Sequence, residues 1–136
     1  MKRVLAALLM IVCFQIARAS IFDQYTFMDV KTAKAKWGNE KLDKNKFKDS
    51  GYSGDSIKAK MAAYIIEKQI YKGSEIVLVY KELGTANGYF ISDLSPAYVL
   101  QRPTEEKNEG WQLVFIPTED SKKVKEVRIV KTCCEK

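Results

Sequence analysis

The chain contains no histidine, and that absence removes the usual general base, the second member of a serine or cysteine triad and the commonest metal ligand. Cysteine is scarce, with three in 136 residues. Cys13, Cys133 and Cys134 have neither the Cys-x-x-Cys spacing of a redox or zinc site nor the density of a disulfide scaffold, so stability must come mainly from apolar packing. The seven glycines are scattered and form no Gly-rich phosphate loop. Asp43-Lys44-Asn45 lacks the glycine and terminal glutamate of a calcium loop. Gly51-Tyr52-Ser53-Gly54-Asp55 has Asp55 where a nucleophile elbow needs glycine, which makes it a turn. The carboxylate pairs Glu105-Glu106 and Glu119-Asp120 fall in polar connections, where acids are usually solvated. No catalytic residue, metal ligand or cofactor is expected.

What is present at the start has the order of an export signal. Lys2 and Arg3 precede the apolar stretch Val4 to Val12, and Ala17-Arg18-Ala19 offers small residues at the two positions a signal peptidase inspects. Gln15 and Arg18 interrupt the run well short of the roughly 20 apolar residues of a membrane-spanning helix, and no second run of that length follows. Residues 1–19 are therefore expected to be cleaved. A lipid anchor at Cys13 is not expected, because the residue before a lipidated cysteine should be small and Val12 stands there. The location predicted is periplasmic or secreted, with membrane association left open by Cys13.

Cleavage would remove Lys2, Arg3 and Arg18, leaving 20 of the 23 basic residues against 17 acidic ones, a surplus of three. That is an ordinary solvated surface and gives no support for nucleic acid as a partner. The remaining residues suffice for one domain with a single core. Residues 20–54 are Lys- and Asn-rich, with Trp37, Leu42 and Phe47 as the large apolar anchors beyond the opening aromatics. They are predicted to form an N-terminal extension, partly irregular, lying over the surface with a short helix near Val30 to Lys36. The charge run Lys41 to Lys48 reads as a solvated face.

An α+β domain is predicted over residues 55–132, followed by a tail at 133–136. Asp55 or Ser56 can cap a helix in which Ile57, Met61, Tyr64 and Ile65 recur at helical spacing, with Lys58, Lys60, Glu67 and Lys68 largely off the stripe. The stretch Glu75 to Gly84 carries two readings: its β-branched residues favour a strand, while Gly84 suits a helix C-cap and Ile76, Val79, Tyr80 and Leu83 would form an inward stripe. Strand patterns follow at Tyr89-Phe90-Ile91, Ala97 to Gln101, Trp111 to Ile116 and Val124 to Lys131. The polar connections between the last three are of the length antiparallel neighbours use. The fold expected is two helices packed on one face of a three- to four-stranded antiparallel sheet.

Gly73, Val79, Leu83-Gly84, Asn87 and the three strands downstream give residues 55–132 a pattern that resembles the small envelope lipoproteins of the outer-membrane assembly group, the BamE (SmpA/OmlA) family, and more broadly the fold of the β-lactamase inhibitor protein. The chain departs from that pattern where Glu75 replaces the usual Ser or Thr cap and Ala86 the proline after Leu-Gly. The resemblance implies a helical reading of the disputed segment and a non-catalytic binding or scaffolding domain of the cell envelope, with another envelope or secreted protein as its partner. The alternative is a secreted enzyme inhibitor or small hydrolase acting outside the cytoplasm. Trp111 and Phe115 are assigned to the core under the helices. Tyr89 and Tyr98 are the candidate partner-binding residues. Adjacent Cys133 and Cys134 can join each other only through a strained ring, so any disulfide they form is as readily made to another chain.

Overall fold

The computed structural model describes residues 24–132, and within it the longest amphipathic run becomes the longest helix. The elements are β1 (Phe27–Met28), α1 (Val30–Trp37), α2 (Lys44–Asp49), α3 (Asp55–Lys68), α4 (Ile76–Leu83), β2 (Ala97–Gln101), β3 (Gly110–Pro117) and β4 (Val124–Thr132). The strands form one antiparallel sheet in the order β1-β4-β3-β2, with Leu113 at its centre opposite Ile129 on one side and Tyr98 on the other. Helix α3 lies against β2 and β4, α1 packs on α3, and α2 contacts both α3 and α4. The predicted α+β class and antiparallel sheet are therefore present.

The core lies between the helices and one sheet face, where Met61, Ile65, Val79, Leu83, Leu113, Phe115, Val127 and Ile129 are buried. Fully burying one such aliphatic side chain contributes about 1.5–3 kcal/mol. Aromatic edges meet faces through this layer: Phe47 against Tyr98 at 5.3 Å and Tyr98 against Phe115 at 6.0 Å between centroids. The opposite face carries a smaller cluster of Ala97, Val114, Ile116 and Val130, covered by Phe90 and flanked by Tyr25 and Phe27. Strand β3 is thus buried on both faces, which is why Trp111 to Ile116 reads as an almost continuous apolar run.

Several expectations change. There are four helices among the described residues: the two expected on the sheet, the short one expected near Val30, and α2, which was not expected. Residues 24–54 are not an extension lying over the surface. They supply β1, α1 and α2, and each buries something in the shared core: Met28, Ala33 and Phe47. Asp29 and Asp43 cap α1 and α2 by accepting hydrogen bonds from the amides of Thr32 and Lys46, which explains how such Lys-rich segments begin helices. Neither Asp55 nor Ser56 caps α3: the N-cap position is Gly54, which has no side chain to offer, and the Asp55 carboxylate, already in the first turn, accepts from Arg102. Lys58, expected off the apolar stripe, is buried. The disputed segment is helical and ends at Gly84, whose φ of 84° suits a residue without a β-carbon. Residues 89–91 are a loop, not a strand, and the fourth strand is β1. The leader, Cys13, Cys133 and Cys134 lie outside the described residues.

Groups that belong to no strand occupy positions on both outer edges of the sheet. On β2, the Val99 N–H donates to Asn87 Oδ1 at 2.9 Å and the Ala97 carbonyl accepts from the Gly88 N–H at 2.8 Å. On β4, β1 covers Ile129 and Val130, while further along the strand the Gln69 carboxamide accepts from Val127 N–H and donates to its carbonyl, both at 2.9 Å. Beyond that, Val124 exchanges bonds with Ser74 O and Gly73 N–H, both at 2.8 Å. An unpaired edge is a template for another strand, and at these positions the edge is already filled.

Candidate docking loop

The segment from Gly84 to Pro96 joins α4 to β2 and is tied to the domain along its length. Its first carbonyl, Gly84 O, accepts from the buried Tyr98 hydroxyl at 2.7 Å. Asn87 uses both ends of its amide, accepting from Val99 and donating to the Tyr52 carbonyl at 3.1 Å. Gln112, itself buried in β3, donates to the Tyr89 carbonyl at 2.7 Å. Phe90 then turns inward to cover the outer sheet face and packs on Tyr25 at 4.8 Å. At the far end the Phe115 N–H donates to Pro96 O at 2.9 Å.

Between these anchors the backbone makes a tight reversal. The Ser92 N–H donates to Phe90 O at 2.6 Å around Ile91, whose φ is 62°. A β-branched residue in that region is strained by about 1–2 kcal/mol, and the surrounding bonds hold it there. The Tyr89 hydroxyl donates to Ile91 O at 2.7 Å, and Leu94 N–H donates to Ser92 Oγ at 3.3 Å. The result is that Phe90 is buried while its neighbours are turned to solvent: Tyr89 is 62 % exposed, Ile91 41 % and Leu94 55 %. A depression of about 690 Å³ opens beside them, bounded by Tyr25, Tyr89, Ile91, Gln112 and Lys131.

Of the two tyrosines singled out from the sequence, only Tyr89 is available to a partner. Tyr98 is withdrawn as a contact: it is 0 % exposed, wedged between Phe47 and Phe115, and burial pushes its phenol well above the ordinary range. Trp111 and Phe115 are both core residues. Ile91 and Leu94 were missed by sequence reasoning, because a β-branched residue after two aromatics reads as strand interior. The available signal was that both lie in a short stretch with Ser92, Asp93 and Ser95, where an apolar side chain has little core to reach.

Two polar clusters elsewhere have structural assignments. The Tyr71 hydroxyl donates to Glu82 Oε2 at 2.5 Å, and Lys44 pairs with the same carboxylate. This joins α2, α4 and the turn after α3. Burial and then Glu82 raise the Tyr71 phenol far above its usual range, so it stays protonated and donates to Glu82. Asp120 accepts from the Thr118 hydroxyl at 2.6 Å and the Lys122 N–H at 3.1 Å, closing the β3–β4 turn; its carboxyl is lowered, first by the Thr118 hydroxyl. Among the described residues, no three His, Cys, Asp or Glu side chains converge as a metal site would require, and no helix is long and apolar enough to cross a membrane. No family model, curated protein or solved structure matches the chain.

Proposed function

We propose that this protein is an exported, non-catalytic binding or scaffolding module that docks on another envelope or secreted protein through the loop Gly84–Pro96. The observation that carries the reading is the outward presentation of Tyr89, Ile91 and Leu94 by a backbone bonded to the domain at both ends. An apolar contact set that is already ordered loses little conformational freedom on binding, and tyrosine is among the residues that carry most binding energy at interfaces. The filled positions on the sheet edges favour side-chain docking over strand addition. Export rests on the leader-like residues 1–19, and the resemblance to BamE-type lipoproteins adds an envelope setting, periplasmic or secreted.

A second reading, a secreted enzyme inhibitor, draws on the same feature, since a rigid loop with exposed apolar residues can also fill an enzyme cleft. A photo-crosslinking residue placed at Tyr89 or Leu94 in the native host separates these readings from no docking at all. The expected outcome is one discrete adduct from those positions, none from the exposed Lys125 on β4, and loss of the Leu94 adduct when Tyr89 is changed to serine. Equal labelling from all three positions would refute the loop as a docking surface. Mass spectrometry of the adduct then tells an enzyme target from a structural one.

A further inference from the structure

A lysine is seldom buried without a carboxylate beside it, because removing an ammonium from water costs several kcal/mol that an ion pair normally offsets. Lys58, in the first turn of α3, is 3 % exposed and takes part in none of the ion pairs among the described residues. The nearest acid in sequence, Asp55, is one turn away, but its carboxylate is held by Arg102, with Nε to Oδ2 at 2.7 Å and Nη2 to Oδ1 at 3.4 Å. The Lys58 stem runs beside the Phe47 ring, its Nζ 5.8 Å from the ring centroid. Its ammonium donates to the Gly51 carbonyl at 2.5 Å. That clamp at the end of α2 uses one of three N–H groups and provides no formal negative charge.

The same side chain lines a cavity of about 620 Å³ bounded by Gly51 and Tyr52 on one side and Leu83 to Asn87 on the other. Lys48 also lines it, and among the described residues no acidic one does. Lys48 donates to Lys81 O at 3.2 Å, near the C-terminal end of α4. The cavity is therefore lined by two lysines, by Leu83 and Ala86 as apolar wall, and by Tyr52, whose ring has the Arg102 guanidinium over it at 4.7 Å. We propose that this cavity binds a carboxylate group, seated on Lys58 with Lys48 as the outer cation and a short apolar tail against Leu83 and Ala86. Burial depresses the Lys58 ammonium in the free protein, with Asp55 opposing and Arg102 adding to the effect, so an incoming anion would meet an amine whose charged form it stabilises. The carboxylate could come from a small organic acid or from the C-terminus of a peptide. Neither source requires the docking role of Tyr89, Ile91 and Leu94, so the two readings stand or fall separately.

The probe is hexanoate, titrated into ¹⁵N-labelled residues 20–136 with hexanamide as the uncharged control. The expected result is saturable shifts of the Gly51, Thr85 and Asn87 amides with hexanoate, affinity at least about tenfold lower for hexanamide, and loss of the shifts in Lys58→Met. Lys48→Ala weakens binding by a few-fold and keeps the preference for the acid. Absence of saturable shifts up to about 50 mM hexanoate, equal response to hexanamide, or undiminished binding by a folded Lys58→Met protein each overturns the proposal. Should Lys58→Met fail to fold, the hexanoate and hexanamide comparison on the wild-type chain decides. A leucine-ended tripeptide with a free C-terminal carboxylate, set against its amidated form, then tells the sources apart: tighter binding than hexanoate assigns the site to a peptide terminus, weaker binding to a small acid.

Discussion

Replacing Gln69 with alanine should destabilise the domain far more than a partly exposed polar residue at a helix end normally would. Gln69 sits in the left-handed region at φ 47°, ψ 48° as α3 ends, and from there its carboxamide reaches β4. Its Nε2 donates to Ile66 O at 2.8 Å and Val127 O at 2.9 Å, and its Oε1 accepts from Val127 N–H at 2.9 Å. Val127 is 0 % exposed, so truncation leaves a buried donor and a buried acceptor unpaired. At about 1–3 kcal/mol for each such group, and with water repairing part of the damage, the expected loss is about 2–4 kcal/mol. That is a large fraction of the 5–15 kcal/mol typical of a domain, roughly, yet leaves a folded protein to measure. Urea unfolding of residues 20–136, followed by circular dichroism and tryptophan fluorescence, gives the value. Gln69→Gly loses the same bonds but relieves the left-handed strain, so it should be about 1 kcal/mol more stable than the alanine variant. Gln69→Glu keeps an acceptor for Val127 N–H but, when ionised, turns an oxygen on Val127 O. Its folded-state pKa is then raised above the ordinary carboxylate value, so this variant is most stable below that value and weakens as pH rises through the folded one. A Gln69→Ala loss under about 1 kcal/mol would refute the claim that the carboxamide stands in for a strand.

The Lys44–Glu82–Tyr71 network predicts a pH effect of opposite sign. Glu82 is held below its usual pKa, first by Lys44 and then by the Tyr71 hydroxyl, so its contribution is present above the unfolded carboxyl value and is lost as pH falls through the folded one; wild type should lose more of its urea midpoint between pH 5 and pH 3 than Glu82→Gln. Ile91→Asn tolerates the positive φ and removes an exposed apolar side chain. Stability by chemical denaturation should stay within about 1 kcal/mol, while crosslinking from Leu94 falls sharply; retained crosslinking would exclude Ile91 from the contact. Tyr98→Phe deletes the bond to Gly84 O and should cost about 1–2 kcal/mol. Cleavage by a protease of broad specificity between Gly84 and Pro96 should rise with it, and an unchanged digestion rate would show that this bond does not restrain the loop.

Much of the framework was legible because periodicity reports burial. Strands β2, β3 and β4 and helix α3 lie within a few residues of their apolar patterns, and Met61 and Ile65 are core residues as their spacing requires. Helix α1 (Val30–Trp37) falls where a short helix was expected, but α2 was harder, since it buries a single residue, Phe47, and one apolar position in a Lys-rich stretch has no period to detect. Residues 76–83 show tertiary packing overriding β-branched preference: Ile76, Val79 and Leu83 are buried on one side of a helix. Lys58 was misplaced because a lysine on a helix signals solvent, and its burial depends on Phe47 and Gly51, which only the fold brings together. Gln69 and Asn87 are the least readable of all. An amide that fills a sheet edge across 58 residues of chain looks in sequence like any other polar surface residue.

These same illegible amides shape how the domain can meet a partner. Asn87 serves two purposes, occupying the β2 edge through Val99 and fixing the start of the loop through Tyr52. Gln112 couples the loop to the sheet interior through the Tyr89 carbonyl, two residues before the Ile91 carbonyl that receives the Tyr89 hydroxyl. Edge closure and loop presentation are therefore linked by shared hydrogen bonds, so the domain resists non-specific strand pairing with the groups that also position its exposed apolar residues. The coupling has a direct consequence for Asn87→Ala: one substitution should both unpair Val99 N–H, at a cost of about 1–3 kcal/mol, and loosen the segment carrying Tyr89. Faster amide exchange at Val99 together with faster exchange from Gly88 to Ser92 is the expected signature. Faster exchange at Val99 alone would mean that Gln112 and Phe90 hold the loop without Asn87, and that edge and docking surface are independent after all.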